Sequence, residues 1–116
     1  MKKLHFLIAT AALVMAAAAP VMAQQRFVIE REIPGASRMT PEQLRDAART
    51  SNAVLKALGP DIQWVQTYVA GDKMYCVYNA TNEALIREHA QKAGFPANRI
   101  TAVAAILDPT TARAVN

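Results

Sequence analysis

Histidine and cysteine, two side chains that often bind metals, are scarce in this sequence, with two histidines and one cysteine. Outside the first 23 residues His89 is the only histidine, so one copy cannot supply a site that needs two imidazoles. Cys76 is the only cysteine, which excludes a disulfide within one chain. Glu30 and Glu32 are two residues apart in a strand-like segment, so both carboxylates are expected on one sheet face. The large aromatic residues predicted on that face are Trp64, Tyr68 and Tyr75.

Residues 1–23 have the pattern of a secretory signal peptide. Lys2 and Lys3 precede an apolar run over residues 4–19, and small residues lead up to Ala23. The run is shorter than the roughly 20 residues that span a bilayer, so we expect cleavage after Ala23 rather than a membrane anchor. The expected location is periplasmic or secreted, with no membrane attachment after cleavage.

The rest of the chain is long enough for one small domain. We predict this domain over residues 24–108, followed by a flexible tail over residues 109–116. Loss of Lys2 and Lys3 leaves 11 basic against 9 acidic residues, a net charge of +2. Because these basic residues are scattered, the sequence does not indicate a nucleic-acid partner.

Local signals predict the elements that position the reactive residues. A strand-like segment over residues 26–33 ends at Pro34 and Gly35. Thr40, Pro41 and Gln43 form the pattern of a capped helix start, and this helix is predicted to end at Gly59.

Two strands over residues 62–69 and 74–79 flank a segment short enough for a hairpin turn. Thr81 is predicted to cap a second helix that ends at Gly94, and residues 100–107 form the last strand. The order β-α-β-β-α-β predicts an α+β, ferredoxin-like fold, with two helices on one face of a four-stranded antiparallel sheet.

Strict alternation along the strands assigns side chains to the two faces. The helix side is predicted to receive the smaller and more apolar set, which comprises Phe27, Ile29, Val65, Thr67, Val69, Met74, Cys76 and Tyr78. The open face then combines Trp64, Tyr68 and Tyr75 with Glu30 and Glu32. Large aromatics beside carboxylates are typical of an interface or a ligand site, so we expect a homodimer through this face or a metal or small ligand on it.

Five ordered blocks give a resemblance to a known family. They are residues 27–35, 58–65, 72–78, 87–90 and 94–100. The first block has the sequence Phe-Val-Ile-Glu-Arg-Glu-Ile-Pro-Gly. They resemble the domain-of-unknown-function family 4242, which includes proteins described as nickel-binding. The resemblance implies a ferredoxin-like fold, a tendency to dimerise, and nickel or another divalent transition metal as cofactor. The family commonly has a histidine where this sequence has Gln66, and an amide is a poorer nickel ligand than an imidazole.

Three functions stay open at the level of the sequence. The first is a small exported, non-enzymatic binding protein that holds a divalent metal such as nickel through Glu30, Glu32 and His89, or a small ligand beside the aromatic residues. The second is a dimeric α+β barrel enzyme acting on a small organic substrate, with Glu30 as base and Tyr68 and Tyr75 positioning the substrate. The third is a purely structural dimer.

Overall fold

The structure is a computed structural model that describes residue 3, residues 10–12 and residues 23–113. Most of the predicted signal peptide therefore lies outside the described residues, as do residues 114–116 of the predicted tail. In the described ranges, no helix is both long enough and apolar enough to cross a membrane.

The predicted ferredoxin-like fold is confirmed. The elements are β1 (Gln25–Glu32), α1 (Pro41–Leu58), β2 (Ile62–Ala70), β3 (Lys73–Ala80), α2 (Glu83–Ala93) and β4 (Arg99–Ala102), with short 3-10 turns at Ala36–Arg38 and Pro109–Arg113. The strands form one antiparallel sheet in the order β2-β3-β1-β4. β1 and β3 are the two central strands, so their residues lie farthest from the sheet edges and from the water there.

Helix α1 begins and ends where the sequence predicts. The Thr40 hydroxyl accepts a hydrogen bond from the Gln43 backbone N–H (3.1 Å), and the Gln43 amide oxygen accepts one from the Thr40 N–H (2.9 Å). This capping box satisfies donors that a helix start leaves free, and Pro41 occupies the first helical position. Gly59 ends the helix with φ of +88°, a value that favours glycine.

Helix α2 begins one residue later than predicted. Asn82, not Thr81, is the cap, since the Asn82 side-chain oxygen accepts a hydrogen bond from the Leu85 N–H (3.0 Å). The Thr81 N–H instead donates to the Asp61 carbonyl (3.0 Å), which keeps Thr81 in the connection after β3. Gly94 ends α2 in the left-handed region, as predicted.

Strand β2 contains a bulge that the sequence analysis did not anticipate. Its register with β3 shifts between Trp64 and Gln66, so Val65 is an extra residue that faces no partner and is 44% exposed. Trp64 therefore pairs with Tyr78, whose side chain is buried under the helices. The predicted positions of Trp64 on the open face and Val65 on the helix side are both wrong, because strict alternation fails at the bulge.

The last strand is shorter than predicted. β4 covers Arg99–Ala102, and its pairing with β1 ends where Ala102 meets Phe27. Beyond one further backbone bond, from the Val103 N–H to the Arg26 carbonyl (2.8 Å), the chain leaves the sheet. Ile106 and Leu107 lie past the end of β1 and are exposed, so their apolar character does not indicate a strand.

The core lies between the sheet and the two helices. Alternate residues of β1 and β3 are buried there, together with residues of β2, the 3-10 turn and α2: Phe27, Ile29, Ala36, Ile62, Met74, Cys76, Tyr78, Ala80, Ile86 and Ala90. The predicted position of Cys76 on the helix side is confirmed. The same alternation along β1 also buries a charged residue, Arg31.

Candidate ligand-binding cavity

A cavity of about 300 Å³ lies between α1 and the covered face of the sheet. Helix α1 contributes Leu44, Ala47 and Ala48, and the sheet contributes Trp64 and Val69. These apolar side chains dominate the lining. This volume is at the small end of the roughly 300–1,000 Å³ that is usual for small-molecule sites. The cavity therefore suits one small, mostly apolar molecule.

The polar groups of the cavity are few. Besides Arg31, the lining contains the Ser51, Thr67 and Tyr78 hydroxyls and the Cys76 thiol. The Thr67 hydroxyl already accepts a hydrogen bond from the indole N–H of Trp64 (3.0 Å). A few polar groups in an apolar lining are the usual means of orienting a ligand.

Arg31 is the most unusual residue of the cavity. It is 1% exposed, although a buried arginine is normally paired with an acidic group. Its Nε donates to the Cys76 sulfur (3.3 Å), and its Nη1 donates to the Pro96 carbonyl (2.7 Å). The guanidinium carbon lies 5.4 Å from the centre of the Phe95 ring, within cation–π range. These contacts hold the guanidinium between β3 and the loop after α2.

One nitrogen of Arg31 has no partner among the described residues. Nη2 is buried and donates to no group of the described residues, and no carboxylate among them lies within 4.0 Å of the guanidinium. An uncompensated buried charge is strongly unfavourable, because the interior cannot replace the hydration that the ion loses. Arg31 therefore brings an unpaired positive charge to the wall of the cavity, and one of its buried nitrogens has no acceptor among the described residues.

His89 lies beside this site, in a hydrogen-bonded cluster that joins both helices to the sheet. It is fully buried, and its Nε2 is 3.1 Å from the Ser51 hydroxyl, which is 3.4 Å from the Tyr78 hydroxyl. Burial, with the Arg31 charge as a smaller cause, lowers the pKa of His89 to about 4. Burial also raises the pKa of Tyr78. Both rings are therefore neutral at pH 7, and the cluster serves packing rather than charge.

The three predicted metal ligands do not come together. Glu30 lies on the open face, where it is 3.6 Å from the Lys73 ammonium and 3.9 Å from the Arg99 guanidinium. Glu32 follows on the same face and contacts Asn98. His89 is buried on the other side of the sheet. Among the residues that the structure describes, no three of the His, Cys, Asp and Glu side chains form a group that could hold a metal ion.

The three predicted aromatic residues are also divided between the faces. Tyr68 pairs with Tyr75 on the open face, and Tyr68 is 57% exposed. Trp64 lines the cavity on the covered face. The bulge at Val65 causes this separation. Gln66 does lie on the open face, but β3 separates its strand from Glu30, so a histidine at position 66 would not lie beside Glu30 within one chain.

Sequence reasoning missed Arg31, the most informative residue of the site. The signal was available, because alternation from Phe27 and Ile29 puts Arg31 on the helix side. Alternation placed the two glutamates and the residues of the helix side, but it was not extended to Arg31, which lies between the glutamates. The absence of a carboxylate beside Arg31 depends on contacts between distant segments, which alternation does not show.

The fold and the cavity together define the class: a small ferredoxin-like α+β protein with an apolar cavity between its sheet and a helix. The chain belongs to the nickel responsive protein SCO4226-like family, whose family model matches residues 27–103. A search of curated proteins gives no match. The crystal structure of SCO4226 from Streptomyces coelicolor A3(2) matches with a TM-score of 0.59 and 22% identity, covering 71% of this chain and 99% of that one.

The comparisons support part of the resemblance found in the sequence. They assign the chain to a family described as nickel responsive, and the more specific label of family 4242 stays a prediction. At 22% identity, the likeness to the solved structure supports the fold alone.

Proposed function

We propose that this protein is an exported, non-enzymatic binding protein whose ligand is a small, mostly apolar organic molecule. The observation that carries the proposal is the cavity of about 300 Å³ under α1. Transfer of apolar surface from water into such a lining is favourable by about 25 cal/mol per Å². Export, to the periplasm or the medium, is proposed from the signal-peptide pattern of residues 1–23.

The chemistry of the lining favours binding over catalysis. None of the described residues that line the cavity is a carboxylate or a histidine, the side chains that most often act as general bases. Glu30, the base of the enzyme hypothesis, lies on the opposite face and forms ion pairs with Lys73 and Arg99. The cavity can therefore hold and orient a molecule, but its lining offers no base of these types.

The single tryptophan provides a direct test. Trp64 lines the cavity, so its fluorescence should change when octanol, a neutral apolar probe, enters. Ala48→Phe places a ring in the cavity and should abolish the change. Ala53→Phe is the matched control, since Ala53 lies on the exposed side of the same helix.

The two outcomes are distinct in this experiment. Saturable binding that Ala48→Phe removes and Ala53→Phe retains supports the cavity as the site. Absence of any saturable change in the wild-type protein, checked by isothermal titration calorimetry, would contradict the proposed function.

A nickel-related role is the second candidate, and the family description is the observation that favours it. The described residues do not fit a nickel site within one copy. The His89 imidazole is neutral, but Arg31 contributes to lowering its pKa, and the same positive charge would repel a divalent cation. Glu30 and Glu32 lie on one face without an imidazole, and Lys73 and Arg99 compete for Glu30.

Two copies that pair through their open faces would double these carboxylates, and this homodimer stays a prediction. It now depends on Tyr68 and Tyr75 without Trp64. Sedimentation should show a dimer at tens of micromolar, and Tyr68→Glu should shift it to monomer.

We expect nickel to bind weakly, with a dissociation constant above about 0.1 mM, since carboxylates select poorly for nickel. Tight binding that Glu30→Gln and Glu32→Gln leave unchanged would contradict this placement.

A further inference from the structure

Building on the proposed binding function, we infer that the cavity selects an anion: a small amphipathic carboxylate whose head group pairs with Arg31. The inference concerns the chemical class of the ligand, whereas the cavity alone indicates only its size and apolar character. It depends on the burial, contacts and missing counter-ion of one side chain.

The lack of an acidic partner for Arg31 among the described residues indicates that the ligand is an anion. Arg31 is 1% exposed and takes part in none of the ion pairs among the described residues. The guanidinium group keeps its proton throughout the working range of proteins, so neutralisation by proton loss is not available. A bound anion would supply the compensation that the described residues lack.

The existing contacts indicate which atom would meet the ligand. Nε and Nη1 are engaged by Cys76 and Pro96, and Phe95 lies against the guanidinium. Within the described part of the chain, Nη2 is the one nitrogen of this side chain that is left without an acceptor. A carboxylate oxygen is a suitable partner, because hydrogen bonds from arginine to an ionised acceptor are shorter and stronger than neutral ones.

The rest of the lining selects an apolar tail. Leu44, Ala48 and Val69 offer no hydrogen bonds to further charged oxygens, and Arg31 is the only basic residue among the described residues of the lining. A phosphate or sulfate ion would therefore carry charge that Arg31 alone does not balance, and it would leave the apolar part of the lining without contacts. One carboxylate on a short hydrocarbon group matches both the single charge and the apolar surface.

Arg26 provides a matched control within the same strand. It has the same side chain, lies on the open face, and donates from Nε to the Asn79 side-chain oxygen (3.0 Å). It is absent from the cavity lining. Arg26→Met therefore removes the same charge from the protein as Arg31→Met without changing the cavity.

The test compares octanoate, octanol and octylamine, which share one chain and differ in charge, by Trp64 fluorescence and calorimetry. In the wild-type protein, octanoate should bind at least about tenfold more tightly than octanol, and octylamine most weakly. Arg31→Met should remove the preference for octanoate while octanol still binds. Arg26→Met should keep the wild-type order.

Each outcome separates this inference from the function on which it depends. Equal binding of octanoate and octanol by the wild-type protein overturns the role of Arg31 but leaves the cavity as a binding site. Failure of all three probes overturns the proposed function itself. A preference for octanoate that persists in a folded Arg31→Met protein also overturns the inference. The wild-type comparison decides the matter even where that variant does not fold.

Discussion

Charged residues lie in opposite environments on the two faces of the sheet. On the open face, Glu30 lies between Lys73 and Arg99 in partly exposed ion pairs. On the covered face, Arg31 is buried and has no acidic partner among the described residues. Exposed ion pairs contribute about 0–1 kcal/mol, whereas an isolated buried charge is costly. The ion pairs of the open face therefore contribute little to the free energy of unfolding, whereas the single buried charge of Arg31 on the covered face has a larger effect on it.

The largest expected effect tests how unequally the faces support the fold. Ile29 and Val28 are neighbours in β1, with Ile29 fully buried and Val28 on the open face. Ile29→Ala should lower the free energy of unfolding by about 4 kcal/mol, because it removes buried methyl groups and leaves a cavity. Val28→Ala should cost about 1 kcal/mol or less. Urea unfolding of both variants measures the difference, and equal losses would contradict the contrast.

The next effect concerns pH and the covered face. The pKa of His89 is about 4 in the folded protein and about 6.5 when unfolded, so the unfolded chain binds the proton more readily. Neutral His89 therefore contributes to the free energy of unfolding. This contribution is complete above pH 6.5 and is lost as the pH falls through 4. At pH 4 the loss should reach about 3 kcal/mol. Urea unfolding of the wild-type protein and of His89→Gln between pH 7 and 4 isolates the part of this loss that is due to His89. Identical pH profiles would show that His89 does not contribute to the pH dependence of stability.

A somewhat smaller effect is expected at the cavity wall. Cys76 is buried, so a thiol reagent should label the folded protein at least about a hundredfold more slowly than the unfolded chain. Octanol should slow labelling further, because Cys76 lines the cavity. The control is Tyr75→Cys combined with Cys76→Ala, which moves the thiol to the open face. Similar rates for the two proteins would reverse the face assignment.

The smallest effect should come from the open face. Glu30→Gln removes one carboxylate from two partly exposed ion pairs, and should change the free energy of unfolding by less than about 1 kcal/mol. The change should shrink further at high salt, because salt screens exposed charges. Urea unfolding at low and high salt measures both, and a loss comparable to that of Ile29→Ala would remove the contrast between the faces.

Local chemistry accounts for the parts of the fold that the sequence predicted well. The capping box at Thr40, the helix ends at Gly59 and Gly94, and the turn at Gly71 each depend on residues close in the chain. The order of strands and helices follows from these signals. The misplaced features involve distant partners instead: the pairing of β4 with β1 stops at Ala102 and Phe27, and the Thr81 N–H donates to the Asp61 carbonyl.

The candidate site was harder to predict for the same reason. Glu30, Glu32 and His89 are the right residue types for a metal, but the sheet separates the two glutamates from the histidine. Arg31 could have been placed on the covered face by alternation alone. Its free Nη2 could not have been predicted, since it results from the combined positions of β3 and the loop that carries Phe95 and Pro96.

The bulge at Val65 also affects how this protein should be compared with its relatives. A relative without this extra residue would form a regular β2 with the same pairs on the same faces, so its alignment with this chain needs a gap at position 65. A gap placed on either side of that position would match residues that occupy different faces. Substitutions in this short segment should therefore be interpreted only after structural superposition, including the exchange of a family histidine for Gln66.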